Sequence, residues 1–369
     1  MYVVWRLEFM APWAYPYIYA RARGILSRML SPSQVEDILR SDATTFLQVL
    51  LNTSYNNVAA SFSGSEFSIV DFEHAAREEM INRLDTITTC IPPDIMRLVN
   101  LEFKKYEALN IKQGLRILHL AETEGEKPPE ELKKLFIPVF YPPEYYERFL
   151  ELGSVARAIE VIRDTRLRNA LLGVYEDYKR TKEYSLMEAV IDTTIYGDLR
   201  NMVKYWGVGS GAGGADRFQI YRLISEEIDL VNMSIIMRCL LNGMDFSDYI
   251  IAANFALGDD FCTILATETV TEVLTILGRT PYRHIAEQIV SGDERDGLYE
   301  FELLSKRYIA KKVKSSFYMS PLSIACVYGF LELSLYEIED IMTLFVGKVN
   351  NLDSEVIKSN LILLGLDGR

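Results

Sequence analysis

The chain has 369 residues, of which 49% are hydrophobic and 25% charged, a composition typical of soluble globular proteins. Its net charge of −13, with no basic patch standing out, argues against nucleic-acid binding and against direct docking on an anionic bilayer. The 4 cysteines form no CxxC pair and the 3 histidines lie far apart, so the sequence predicts neither a metal site nor a cofactor.

The first segment, MYVVWRLEFMAPWAYPYIYARARG, is aromatic but is interrupted by Arg6 and Glu8. It therefore lacks the uninterrupted apolar stretch of a signal peptide. No later segment contains the roughly 18 consecutive apolar residues that a membrane-spanning helix needs. We interpret residues 1–9, at the start of the first helical unit, as an extension.

Helical periodicity runs through almost the whole chain. Apolar residues three and four positions apart recur in FEHAAREEMINRL, PPEELKKLF, VARAIEVIRDTRLRNALLGVYEDY and LYEFELLSKRYIAKKV. Alternating apolar and polar runs bounded by turn residues, the signature of strands, are nearly absent. The sequence therefore predicts an all-α fold.

A pattern of an acid, an amide and an arginine is repeated in two apolar helices with the same offsets. Its members are Glu107, Asn110 and Arg116 in YEALNIKQGLRIL, and Asp229, Asn232 and Arg238 in EEIDLVNMSIIMRCLLNG. A third copy follows in SLYEIEDIMTLFVGK, where Glu337 and Asp340 occupy the first two positions and Val346 the third. We therefore predict three similar helical units, at 1–125, 126–243 and 244–369.

A second pattern supports the repeat. LLNTSY, with Leu50, Thr53 and Tyr55, has the same spacing as LGRTPY, with Leu277, Thr280 and Tyr282. The middle unit has only a poor counterpart, in LLGVYEDY near residue 174.

The acids of the repeat lie within the apolar stripes of their helices. A buried carboxylate must be paired or hydrogen-bonded, because an uncompensated charge costs several kcal/mol. Glu107 and Asp229 could act as proton carriers or catalytic bases, or they could join neighbouring helices. Catalysis seldom needs the same constellation in successive units, whereas equivalent helix junctions do. We therefore interpret the repeated residues as a lock between helices.

Enzyme signatures are weak. GVGSGAGG, at 207–214, lacks the GK[ST] ending of a phosphate-binding loop and is interpreted as a flexible connection between helices. GDDFCTIL faintly resembles the paired aspartates of all-α diphosphate-binding enzymes, but Asp259 and Asp260 lie at a predicted helix start, where acids cap the helix. An all-α enzyme using these two residues and Asp229 is an alternative hypothesis.

Three segments carry a resemblance to a known family. YPYIYARARGILSRML, the repeated acid-x-x-Asn helices and MSPLSIACVYGFLELSLYEIEDIMTLFVGK, in this order and spacing, resemble the C subunit of archaeal and bacterial A-type ATP synthases. That family is related to the d subunit of eukaryotic V-type ATPases. The resemblance covers about residues 13 to 350. The chain departs from it where Asp340 replaces the usual Asn and Val346 the usual Arg, and the Gly-rich loop resembles an insertion.

The resemblance implies a non-catalytic subunit without a cofactor. Such a protein forms a funnel of three helical units around a pseudo-threefold axis and couples the membrane proteolipid rotor ring to the central stalk during ion translocation. It would lie peripherally on the cytoplasmic side of the cell membrane, touching the membrane only through the complex. As candidate partner contacts we predict exposed aromatic residues, namely Tyr15, Tyr17, Tyr19, Tyr145 and Tyr146. The alternative is a generic helical-repeat scaffold that binds soluble partners.

Overall fold

The computed structural model describes residues 11–62, 68–89, 91, 93–125, 130–136, 139–207, 214–251, 255–290, 292–321 and 323–363. Over these ranges the chain forms helices and no strand, so the predicted all-α class is confirmed. The helices are α1 (Ala11–Leu26), α2 (Pro32–Arg40), α3 (Ala43–Leu51), α4 (Asn56–Ala60), α5 (Ile69–Thr88), α6 (Pro93–Glu124), α7 (Pro143–Glu151), α8 (Val155–Val161), α9 (Thr165–Thr181), α10 (Ser185–Gly207), α11 (Gly214–Leu241), α12 (Asp260–Ile264), α13 (Val270–Leu277), α14 (Arg283–Ala286), α15 (Glu294–Met319), α16 (Ile324–Val349) and α17 (Ser354–Ser359), with 3₁₀ turns at Glu130–Leu135 and Ser247–Tyr249.

Several helices begin where a short polar side chain satisfies the free N–H groups of the first turn. Before α2, the Ser31 hydroxyl accepts a hydrogen bond from the N–H of Gln34, whose side chain accepts one from the N–H of Ser31. Asp164 caps α9 by accepting from the N–H groups of Arg166 and Leu167. The sequence therefore sets these helix starts locally, whatever the helices pack against.

The chain divides into two compact units. The first consists of Met1–Asn100, Lys134–Val139 and Ala310–Arg369, and the second of Leu101–Lys133 and Phe140–Ile309. The first unit thus combines segments from both ends of the chain. The predicted division into three units, with boundaries after residues 125 and 243, stays a prediction.

The core of the first unit surrounds α16. This helix is apolar on nearly all sides and buried along most of its length, as expected for a helix at the centre of a bundle. Phe345 stacks on Phe72 of α5 with 3.9 Å between ring centroids, and Phe46 of α3 lies 5.4 Å from Phe345. At the other end of α16, a Cβ atom on Gly329 would lie 3.1 Å from the Cβ atom of Phe317, so the missing side chain permits a close approach to α15.

The second unit is built around α10 and α11, which pack against each other, with α9 against α10. Leu167 and Leu171 of α9 and Ile228 and Ile236 of α11 are fully buried. None of the helices that the structure describes is both long and apolar enough to cross a membrane.

Candidate functional site

Each of the three repeated acids is buried and hydrogen-bonded to a tyrosine hydroxyl. Glu107, Asp229 and Glu337 are 6%, 0% and 3% exposed. We call the three contacts the acid–tyrosine pairs; they are Glu107–Tyr146, Asp229–Tyr282 and Glu337–Tyr55. The repeat in the sequence therefore corresponds to a repeated contact in the structure. In the first two pairs the tyrosine follows the acid in the sequence. In the third pair, Glu337 of the last long helix contacts a tyrosine 282 residues earlier, near the beginning of the chain.

Two of the tyrosines are presented by the same turn. The Thr53 hydroxyl donates to the carbonyl of Leu50 at 2.7 Å and accepts from the N–H of Tyr55 at 3.1 Å. The turn before Tyr282 repeats this arrangement, with 2.9 Å and 3.2 Å at the Thr280 hydroxyl. The Leu-x-x-Thr-x-Tyr spacing is thus a threonine turn that ends a helix and directs the tyrosine into the core.

The remaining tyrosine comes from a different local structure. Tyr146 lies in the first turns of α7, after the two prolines of YPPEYY, and its hydroxyl donates to Oε2 of Glu107. In LLGVYEDY, the poor counterpart of the pattern, Tyr178 is instead hydrogen-bonded to Nδ1 of His119 at 2.8 Å. No Leu-x-x-Thr-x-Tyr spacing precedes Tyr146, which is why the sequence pattern fails in this unit.

The Glu337–Tyr55 pair has a cation. Oε1 of Glu337 accepts from the N–H of Leu30 at 3.0 Å, and Oε2 accepts from Arg83 at 3.0 Å. The Arg83 guanidinium also donates to the Tyr55 hydroxyl at 3.0 Å and lies 4.3 Å from the centre of its ring. Burial nevertheless raises the pKa of Glu337, although Arg83, Tyr55 and Leu30 all favour its charged form. Sequence analysis missed Arg83, since nothing in its local pattern distinguishes it from a surface arginine.

The Asp229–Tyr282 pair is completed by backbone donors. Oδ1 accepts from the N–H of Phe255 at 2.9 Å, while Oδ2 accepts from the N–H of Ala256 at 2.8 Å and from the Tyr282 hydroxyl at 2.9 Å. Burial raises the pKa of Asp229 in spite of these donors. Because both oxygens are occupied by the protein itself, the geometry disfavours Asp229 as a ligand for a metal or a diphosphate.

Of the three acids, Glu107 has the fewest neighbouring groups that stabilise its negative charge. Among the residues that the structure describes, Glu107 contacts no cation; the Tyr146 hydroxyl donates to its Oε2, whereas its buried Oε1 accepts no hydrogen bond. The Asn110 side chain also favours the charged form. Burial is the main cause that raises the pKa of Glu107 to about 7, and the negative charge of Asp164 adds to it. Glu107 is therefore an acid that exchanges its proton near neutral pH.

In the second and third copies, the second position of the repeat holds backbone rather than side chains. Asn232 clamps Ile251, since its amide nitrogen donates to the carbonyl at 2.9 Å and its amide oxygen accepts from the N–H at 2.9 Å. Asp340 instead accepts two N–H groups, those of Ile362 and Leu363, at 2.5 Å and 2.8 Å. The departure from Asn thus has a chemical reason, because a site with two donors suits a carboxylate better than an amide.

The arginines of the repeat meet at one acid. Arg116 is hydrogen-bonded to Oε1 of Glu188 in α10, and Arg238 lies 3.7 Å from Oε2 of the same carboxylate. Arg238 also donates to Glu302 at 2.6 Å. Glu188 therefore connects equivalent positions of two copies, and Val346 has no such role in the third.

The candidate partner tyrosines lie in different environments. Tyr17 is 53% exposed, whereas Tyr15, Tyr19 and Tyr145 are half-buried. Tyr146 is 1% exposed and belongs to an acid–tyrosine pair, which corrects its prediction as a partner contact.

The paired aspartates of GDDFCTIL lie at the start of a short helix. Helix α12 begins at Asp260 as expected, but Asp259 at its N-cap makes no capping hydrogen bond, so that part of the prediction was wrong. Within the described part of the chain, no group of three or more His, Cys, Asp or Glu side chains could hold a metal ion. Residues 208–213 of the Gly-rich segment lie outside the described residues.

Comparison with known proteins decides the family. A model of the ATP synthase (C/AC39) subunit family matches residues 18–360, nearly the whole chain. The chain belongs to the ATP synthase (C/AC39) subunit family. Membership confirms the resemblance and places the chain among the subunits of rotary ATP synthases, which are membrane-associated complexes.

Relatives within the ATP synthase (C/AC39) subunit family match at low identity over nearly full length. The C subunit of the A-type ATP synthase of Methanocaldococcus jannaschii is 22% identical, over 98% of this chain and 90% of the relative. The same subunit of Haloferax volcanii is 20% identical over 94% of this chain and 97% of the relative. That of Methanosarcina barkeri is 23% identical over 95% and 93%. The chain is thus similar to these subunits along at least 90% of their length.

Proposed function

We propose that this chain is the non-catalytic central-stalk adaptor of a rotary A/V-type ATP synthase. It would couple the proteolipid rotor ring to the central stalk, so that ion translocation drives ATP synthesis or ATP hydrolysis drives ion pumping. The observation that carries this proposal is the family match over residues 18–360, together with the similarity to C subunits of A-type ATP synthases along their full length. The adaptor would form the funnel around a pseudo-threefold axis and lie peripherally on the cytoplasmic side of the cell membrane.

The repeated pairs suit a part that transmits torque. Torque is lost when packed helices slide, and sliding is opposed where a buried side chain holds a neighbouring segment through several directed hydrogen bonds. Asp229 accepts three such bonds and Glu337 accepts bonds from backbone, arginine and tyrosine. These contacts support a stiff coupler.

Co-purification from membranes tests the proposal. The tagged chain is isolated from mild-detergent extracts of the source organism's membranes, and its partners are identified by mass spectrometry, with the untagged strain as control. We expect proteolipid, central-stalk and nucleotide-binding subunits in the eluate. Recovery of soluble proteins alone would overturn the proposal in favour of the helical-repeat scaffold.

A further inference from the structure

The Glu107–Tyr146 pair differs from the other two acid–tyrosine pairs in how its acid is held. Asp229 accepts hydrogen bonds from two backbone N–H groups, and Glu337 accepts one from a backbone N–H group and one from Arg83. In the described part of the chain, Glu107 has neither a backbone donor nor a cation, and its buried Oε1 accepts no hydrogen bond. The charged form of Glu107 is therefore more costly to bury than that of the other two acids.

The Glu107–Tyr146 pair joins the short helix α7 to the long helix α6. Glu107 lies near the middle of α6, and Tyr146 and Phe149 of α7 are each 1% exposed, so α7 buries one of its faces. Pro142 precedes α7, and Gly153, with a φ of +61°, follows it. Because a proline and a residue with positive φ both interrupt a helix, α7 is not continuous with a neighbouring helix at either end. Its position therefore depends on its side-chain contacts.

Three tyrosine rings stand in a row on the α7 side of the acid. The Tyr145 ring lies 5.0 Å from that of Tyr146, and the Tyr141 ring lies 4.6 Å from that of Tyr145. The exposed Arg163 guanidinium lies over the two outer rings, 4.9 Å from the centre of Tyr141 and 5.1 Å from that of Tyr145. The cation on this side is thus engaged by the tyrosine rings rather than by Glu107.

The charged groups of the other neighbouring elements do not offset the charge of Glu107 either. Lys104 of α6 lies 2.9 Å from Asp164, the N-cap of α9, and 3.7 Å from Asp198 of α10. Burial raises the pKa of Glu107 to about 7, the side chains of its tyrosine partner and of Asn110 oppose this shift, and the negative charge of Asp164 adds to it. Since Glu107 is only 6% exposed, stabilising its charged form requires that water reach it.

We propose that α7 is a proton-controlled latch on α6, docked while Glu107 carries its proton and opening when Glu107 ionises. In the open form Glu107 is hydrated and Tyr146 leaves the core. The hydrated acid loses its proton near the ordinary value of 4.5, whereas the docked acid keeps it up to about pH 7. A rise in pH between these values therefore favours opening, and a further rise well above pH 7 adds nothing. This inference goes beyond the proposed function and does not depend on it.

Amide hydrogen exchange of the full chain tests the latch. Glu107→Gln keeps an acceptor for Tyr146 but cannot ionise, and Glu144→Gln, at an exposed carboxylate of α7, is the matched control. Protection of the α7 amides is corrected for the pH dependence of intrinsic exchange. Between about pH 5 and pH 7.5, we expect it to fall by more than about tenfold in the wild type and in the control, and to stay unchanged in Glu107→Gln.

Denaturant dependence separates local opening from unfolding of the whole unit. Opening of α7 exposes little surface, so exchange of its amides should change little at low urea concentrations, whereas exchange in α11 should accelerate steeply. Equal slopes in α7 and α11, or the same pH dependence in Glu107→Gln as in the wild type, would overturn the latch. Tyr146→Phe provides a second test, with folding of each variant checked by circular dichroism. It removes a donor that favours the charged acid, so the fall in protection should extend to higher pH; a shift to lower pH would contradict the latch.

Discussion

Lys105 donates hydrogen bonds to both carboxylate oxygens of Glu227 at 2.9 Å, and the two residues lie 122 positions apart, the same separation as Glu107 and Asp229. Equivalent positions of two copies of the repeat thus carry opposite charges and pair with each other. Glu102 also contacts Lys105 at 2.9 Å, and the Tyr196 hydroxyl donates to Glu227 at 2.8 Å. Because one copy has a lysine where the other has a glutamate, the two equivalent positions can form an ion pair between their helices.

Replacing Lys105 should lower the free energy of unfolding more than replacing its partner Glu227. Lys105→Met leaves two nearly buried carboxylates without their lysine, and we expect a loss of about 3–5 kcal/mol in the free energy of unfolding. Glu227→Gln keeps an acceptor for Tyr196 and leaves Lys105 with Glu102, so a loss of about 1–2 kcal/mol is expected. Denaturant titration measures both.

An exposed lysine provides the control for this ranking. Lys179 is 61% exposed and lies 3.9 Å from Glu176, so Lys179→Met should cost less than about 1 kcal/mol. If Lys105→Met were no more destabilising than Lys179→Met, the charged cluster would contribute nothing to the packing of these helices.

Glu107 should make stability depend on pH. Its pKa is raised from 4.5 to about 7, so the unfolded chain loses this proton first as the pH rises. The stability contributed by the protonated group is fully present below about pH 4.5 and is lost by about pH 7, a change of about 3 kcal/mol. Glu107→Gln cannot ionise. We therefore expect the variant to gain stability relative to the wild type between about pH 5 and 8.

The measurement is the difference between wild-type and variant unfolding curves at several pH values. Asp229 and Glu337 also have raised pKa values, so the wild type is expected to lose stability in the same direction through them. The difference isolates Glu107. Glu176→Gln, at a carboxylate 82% exposed, is the control and should follow the wild type. A Glu107→Gln curve parallel to the wild type would show that this acid is ionised in the folded protein at pH 5.

Arg83 should be indispensable for the third pair. It is the cation beside the nearly buried Glu337, so Arg83→Met leaves that charge uncompensated and should cost about 3–5 kcal/mol. The double variant Arg83→Met/Glu337→Gln removes the charge and should recover part of the loss. Arg180→Met, at a side chain 76% exposed and paired with Asp177, is the control. Thermal unfolding followed by circular dichroism distinguishes these cases, and additive losses in the double variant would contradict the pairing.

The sequence predicted the features that depend on neighbouring residues or on a repeated spacing. The all-α class follows from apolar spacing, and the burial of the repeated acids follows from their position within the apolar stripes. The Tyr55 and Tyr282 turns are visible as Leu-x-x-Thr-x-Tyr because the threonine bonds lie within three residues. The pairing of Tyr146 with Glu107 and the role of Arg83 were missed because they depend on packing between distant segments.

The second position of the repeat offers a reciprocal test. Asp340→Asn would turn an amide donor toward one of two N–H groups, and Asn232→Asp would turn a carboxylate oxygen toward the carbonyl of Ile251. Each change leaves a buried group without a partner, so each should cost about 1–3 kcal/mol although Asp and Asn are nearly equal in size. Amide hydrogen exchange at Ile362 should accelerate in the first variant, and exchange at Ile251 in the second.

A control substitution tests whether replacing Asn by Asp affects stability by itself. Exposed Asn56 accepts one bond, from the N–H of Asn57 at 2.8 Å, and Asn56→Asp keeps that acceptor, so its stability should change by less than about 0.5 kcal/mol. If Asp340→Asn left stability equally unchanged, the two N–H groups at this position would not require a carboxylate. The presence of Asp340 in place of Asn would then have no effect on stability. A selective loss would instead mean that the third copy changed its residue because its backbone presents two donors.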